Sequence, residues 1–109
     1  MTTLILPDPI AAYFAADQRT PETLARCFTA QATVRDEGKT HCGRDAIAAW
    51  KSDASARYTY TAEPFEFDWN DDHPIVRCHV AGNFPGSPVD LRYHFRLESG
   101  LIASLDITP

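Results

Sequence analysis

Apolar positions recur at helical spacing in the first half of the chain and at every second residue in the rest, with the change near Tyr58. Ile10, Tyr13 and Phe14 stand at i, i+3 and i+4, one face of a helix. Asp8-Pro9 just before them gives an N-cap with proline at the first helical position. Thr20-Pro21-Glu22 repeats the start signal, and Leu24, Cys27 and Phe28 repeat the spacing, so a second helix is expected there. The short "DQRT" link predicts a hairpin of the two. A brief strand over 32–36 follows, then a loop holding His41 and Cys42. Gly43 caps a third helix, with Asp45 in its first turn favoured by the helix dipole and Ile47 and Trp50 as inward anchors.

From Tyr58 the residues are β-branched or aromatic with period two, the signature of strands. Pro64 interrupts "RYTYTAEPFEFDW", which predicts a bulge or an edge and a switch of face. "NDDHP" is a turn. In "IVRCHVAGNF", Val76, Cys78, Val80, Gly82 and Phe84 share one face, and Arg77, His79, Ala81 and Asn83 the other. After "PGSP", Val89, Leu91, Tyr93, Phe95 and Leu97 alternate with Asp90, Arg92, His94 and Arg96. "ESG" turns the chain into a last strand, "LIASLDIT".

Strands joined by such short turns form an antiparallel meander. Helices first and sheet afterwards predict an α+β fold, a single domain over 1–109. The expected architecture is a cone-shaped curved antiparallel or mixed sheet with three N-terminal helices on its concave face. Arg77, His79, Arg92, His94 and Arg96 then look outward, either solvated or in a wet dimer interface.

Bulk properties narrow the function classes. A chain of 109 residues buries roughly 60 to 70% of its unfolded surface, enough for one core with a small cavity. The net charge of −5, with ten scattered basic residues, argues against nucleic-acid binding, which needs clustered Lys and Arg. The longest apolar run, "IAAYFAA", is far short of the roughly 20 residues of a membrane span. Three cysteines, Cys27, Cys42 and Cys78, without a Cys-x-x-Cys and behind an N-terminus with no basic leader region, suggest reduced thiols and the cytoplasm. Nucleotide-binding and nucleophile-elbow glycine motifs are absent. His79 and His94 share an outward face but lack an evident third ligand, so no metal and no cofactor is expected.

Three stretches, "YFAADQRTPETLARCFTAQATVRDEG", "GRDAIAAW" and "YHFRLESGLIASLDI", in that order and spacing, resemble the nuclear transport factor 2-like superfamily. Its members include SnoaL-like polyketide cyclases and Δ5-3-ketosteroid isomerases. In the isomerases an Asp base works with an oxyanion hole of a Tyr and a protonated Asp. The resemblance puts the base at Asp36, which closes "ATVRD", and the oxyanion tyrosine at Tyr13. The residue before "HFRL" is Tyr93, where the isomerases carry an aspartate. Resemblance also implies a homodimer and a pocket for a small hydrophobic or carbonyl-containing molecule.

Such chemistry needs a carboxylate in a water-poor cleft and donors for the enolate. A tyrosine hydroxyl donates without ionising at neutral pH. Asp36, Tyr13 and Tyr93 are therefore the candidate catalytic residues, with Phe14, Trp50, Cys78, Val80 and Phe95 lining the pocket. Each has a plainer alternative. Asp36-Glu37-Gly38 also fits a strand-to-loop turn, Tyr13 and Tyr93 fit a core with the phenol at its rim, and Cys78 behaves as a small hydrophobe. Two functional classes stay open: an enzyme of proton transfer, isomerisation, cyclisation or dehydration, and a non-catalytic binding or adaptor module.

Overall fold

The computed structural model describes residues 5–70 and 73–109. Helix α1 spans Asp8–Ala16 and α2 spans Pro21–Ala25. Strands β1 (Phe28–Asp36) and β2 (Lys39–Cys42) form a hairpin. Helix α3 (Arg44–Arg57) leads to four strands, β3 (Tyr60–Asn70), β4 (His73–Gly82), β5 (Val89–Glu98) and β6 (Leu101–Thr108). They make one six-stranded sheet ordered β2-β1-β6-β5-β4-β3. Strands β3 to β6 are the expected antiparallel meander, and β1 closes onto β6 in parallel, so the sheet is mixed. Among the described residues the fold is α+β, with three helices, the last ending at Arg57, and a hairpin between the second and third.

Local chemistry accounts for most boundaries. Thr20 caps α2, its Oγ1 accepting from Thr23 N at 3.2 Å, with Pro21 at the first helical position. Asp8 differs from expectation: it is the first helical residue, with Pro7 at the N-cap position and no side-chain cap. Helix α2 also stops early. Cys27 lies in the turn after it, and Phe28 opens β1 as a fully buried strand residue. The spacing of Leu24, Cys27 and Phe28 thus straddles a helix end, and β1 is nine residues long. His41 and Cys42 lie in β2, paired with Val34 and Thr33. The expected turn at "NDDHP" falls on residues 71 and 72, outside the described residues, as do the first four residues of the segment read for a leader.

The bulge appears at Pro64. Pairing shifts between Pro64, opposite Cys78, and Glu66, opposite Arg77. An extra residue in one strand reverses its alternation. Tyr60 and Ala62 pack against the core before the bulge and Phe67 after it, while Phe65 is left 44% exposed on the outer face. Strand β4 ends at Gly82, which is exposed, but Phe84 just after it packs half-buried against the core on the side of Val76, Cys78 and Val80.

One sheet face carries the core. Ala32, Val34, Val76, Cys78, Phe95, Ile102 and Leu105 are fully buried, beneath Ile10 of α1, Leu24 of α2 and Ile47 of α3. Burial of a side chain of this size contributes about 1.5–3 kcal/mol. The outer face is polar, with an Arg77–Glu66 pair at 3.1 Å and a His79–Asp90 pair at 2.8 Å. Both pairs are half-exposed and contribute about 0–1 kcal/mol. No helix among the described residues is long and apolar enough to cross a membrane.

Candidate functional site

Asp36 sits where β1 ends. Ala32 and Val34 point into the core, and Asp36 is the next residue on that face, half-buried. The turn after it is carried by other residues. Glu37 and Gly38 both have positive φ, 53° and 77°, the backbone of a two-residue type I′ hairpin turn. Asp36 pairs with Lys39 across that turn, and its Oδ2 accepts from the Trp50 indole Nε1–H on α3 at 3.1 Å. Burial raises the Asp36 pKa above the usual carboxylate value. The Trp50 hydrogen bond, His41 and the Glu37 backbone N–H lower it in part, and the Glu37 charge adds to the rise.

Tyr13 and Tyr93 meet in the interior, with ring centroids 6.2 Å apart. Tyr13 projects from α1 onto Phe28 and Phe95, at 6.0 and 5.6 Å, and Phe14 lies 5.6 Å from Tyr93. The two tyrosines are 2% and 5% exposed. Neither hydroxyl hydrogen-bonds to another described residue. Yet no side-chain oxygen or nitrogen among the described residues is both sealed and unpaired. The two hydroxyls are therefore not fully sealed: each keeps a small accessible area. Burial raises both phenols well above their ordinary pKa, so both stay protonated as donors.

Strand register relates Asp36 to Tyr93. Arg35 stands beside Asp106, so Asp36 comes level with Ile107, and Ile107 is paired with Tyr93. Two strand spacings separate the backbones, about 10 Å. The Asp36 charge contributes to the rise in the Tyr93 pKa, and also in that of Tyr60.

Three further residues at this interior were not singled out from the sequence. Lys51 of α3 is buried, and its Nζ donates to Asp17 Oδ1 at 2.6 Å and to the Tyr60 hydroxyl at 3.2 Å. The Lys51 and Asp17 side chains are only 6% and 7% exposed. Burial pushes the Lys51 ammonium down, but the Asp17 carboxylate and Tyr60 outweigh it, leaving the pKa raised. Burial raises Tyr60 as well, opposed by Lys51. The signal was present in the spacing. Lys51 stands four residues after Ile47 on the inward face of α3, and Asp17 four after Tyr13.

Of the residues expected to line a pocket, Cys78, Val80 and Phe95 are buried in the core, and Phe14 and Trp50 pack half-buried against it. Burial, with the Asp17 charge adding to it, pushes the Cys78 thiol up to about 12, so it is no nucleophile at neutral pH. Two depressions lie elsewhere. One of about 320 Å³ is lined by Trp69, Pro74, Arg96, Leu97 and Glu98. The other, about 340 Å³, is lined by Glu63, Phe65, His79 and Asp90 on the outer sheet face. His94 is half-buried, its Nε2 3.1 Å from Thr108 Oγ1.

No family model and no curated protein matches the chain. Solved structures do. A protein of Sinorhizobium meliloti, provisionally named a polyketide cyclase, is 42% identical, with a TM-score of 0.91 over 94% of this chain and 95% of that one. A ketosteroid isomerase-like fold from Catenulispora acidiphila, solved with trimethylamine, is 24% identical, with a TM-score of 0.84 over 96% and 87%. A nuclear transport factor 2-like protein of Cytophaga hutchinsonii is 14% identical, with a TM-score of 0.71 over 98% and 92%, a likeness of fold alone. With a relative this similar over nearly its whole length, the chain belongs to the nuclear transport factor 2-like superfamily, among its SnoaL-like proteins.

Proposed function

We propose that the protein binds a small hydrophobic, carbonyl-containing compound between helices and sheet and catalyses proton transfer on it, as an isomerisation, cyclisation or dehydration. The observation that carries this is Asp36: a half-buried carboxylate with a raised pKa, one oxygen held by Trp50, on the core side of the sheet. Its other oxygen is the base. It takes a proton from the carbon next to the carbonyl, and the developing enolate oxygen accepts from the Tyr13 and Tyr93 hydroxyls. Phenols that stay protonated suit that task, because stabilisation of developing charge requires donors already in place. The cyclase name of the Sinorhizobium meliloti relative agrees with this class of chemistry. The sheet curls round the helices as a cone, and two chains pair as a homodimer, without a cofactor.

A panel of β,γ-unsaturated ketones, followed by ultraviolet absorbance for conjugation, tests the assignment. Asp36→Asn should lower the rate about 10²- to 10⁴-fold. An unchanged rate in that variant removes Asp36 as base. A non-catalytic interaction module is the alternative, favoured by Phe65 and Trp69, which are 44% and 58% exposed. A well-folded protein that turns over no ketone, yet associates through that surface, supports it.

A further inference from the structure

An ammonium has three protons and no lone pair. In the Lys51–Tyr60 contact the phenol oxygen must therefore accept, and the Tyr60 proton is left to point elsewhere. No described residue accepts it. The hydroxyls of Tyr13 and Tyr93 are in the same condition. Two buried phenols and the half-buried Tyr60 thus present protons with no acceptor among the described residues, and one oxygen of the Asp36 carboxylate is already engaged by Trp50.

Stability gives no reason for this arrangement. A buried ion pair is on balance no better than apolar side chains of the same volume, and phenol protons that meet no acceptor among the described residues add no hydrogen bond to the fold. Phenylalanine and leucine would fill the same space without the ion pair. Tyr13 and Tyr60 are also linked through one chain of contacts. Asp17 is one helical turn beyond Tyr13, its N–H donating to the Tyr13 carbonyl at 2.9 Å, and it receives Lys51, which holds Tyr60.

We infer that Tyr60, backed by Lys51 and Asp17, is a second oxygen-binding station, and that the ligand is a neutral compound with two separated acceptor oxygens. One oxygen is held by Tyr13 and Tyr93 and the other by Tyr60. The charges of Asp17 and Lys51 cancel, so the negative charge of Asp36 disfavours an anion, and three hydroxyl donors suit acceptor oxygens. This rests on the proposed carbonyl-binding interior but not on Asp36 being a base.

The test is binding of 1-decalone and decalin-1,5-dione to the full chain, by isothermal titration calorimetry, with wild type and Tyr60→Phe. Wild type should bind the dione about 10-fold tighter than the monoketone, the worth of one hydrogen bond. Tyr60→Phe should abolish that preference and leave the monoketone affinity unchanged. Lys51→Met, if it folds, should weaken the preference without touching the monoketone. Equal affinity of wild type for the two compounds overturns the station, as does an equal loss for both in Tyr60→Phe, or no binding of either at millimolar concentration. A preference lost in Tyr60→Phe but kept in Asp36→Asn, with ketone isomerisation as fast in Asp36→Asn as in wild type, upholds the station while removing Asp36 as base.

Discussion

Replacing Lys51 by methionine removes a charge of nearly matching length from a site where both partners are more than nine-tenths buried. Asp17 is then left charged and unpaired beneath the helices, and Tyr60 loses its donor. Breaking one side of a buried pair costs about 3–5 kcal/mol. A domain of this size is stable by about 5–15 kcal/mol, so Lys51→Met should lose a fifth or more of its stability. Asp17→Asn should cost less, since Lys51 keeps its hydrogen bond to Tyr60. The double variant Asp17→Asn/Lys51→Met has no charge left to compensate and should recover most of the loss, a coupling of about 2–4 kcal/mol. Urea unfolding at neutral pH, followed by tryptophan fluorescence, measures all four corners of the cycle. A loss below 1 kcal/mol in Lys51→Met, or simple additivity in the double variant, would refute the claim that the pair is desolvated and obligatory.

The other predictions concern single positions. Asp36→Asn keeps an oxygen for Trp50, so it should unfold at the same or a higher urea midpoint while slowing proton transfer about 10²- to 10⁴-fold. A carboxylate with a raised folded pKa binds more protons when folded, so its contribution falls as pH rises from the ordinary carboxylate range through the raised value. The wild-type midpoint should therefore drop relative to Asp36→Asn across that acidic interval; parallel curves would contradict the burial of Asp36. Gly82 stands opposite Tyr60, and a Cβ there would meet the Thr59 carbonyl oxygen at 2.2 Å and the Tyr60 Cβ at 2.6 Å. Gly82→Ala must push the start of β3 away, costing about 1–3 kcal/mol and the dione preference with it; an unaltered variant would show that Tyr60 is not fixed by this strand pair. An alkylating thiol reagent at neutral pH should label exposed Cys42 first and leave fully buried Cys78 unmodified until the protein unfolds, as mass spectrometry can follow.

How far the sequence is legible depended on range. Period-two alternation in "VDLRYHFRL" placed Tyr93 and Phe95 inward, and both are buried there, because a strand's alternation is a local property. Pro64 announced the bulge for the same reason, since proline cannot donate to the ladder. The end of α2 was less legible. Leu24, Cys27 and Phe28 have helical spacing, but Phe28 is taken by pairing with Ile102 of β6, more than seventy residues away. Strand β2 is four residues of mixed polarity, and only its pairing with β1 makes it a strand. Among site residues, Asp36 and the two tyrosines came from resemblance. Lys51 was passed over because a lone lysine in "AAWKSDA" reads as solvated surface; its burial depends on Asp17, thirty-four residues away.

The central claim is that Asp36 moves a proton at a carbonyl-bearing ligand held in the interior. Deuterium exchange tests it without knowledge of the natural substrate. Decalin-1,5-dione in deuterium oxide is followed by proton nuclear magnetic resonance for loss of signal at the carbons next to each carbonyl. Wild type should speed that exchange above the buffer rate, and Asp36→Asn should return it to the buffer rate while still binding the dione. Exchange that is equally fast in Asp36→Asn, or no faster in wild type than in buffer despite binding, would contradict the account.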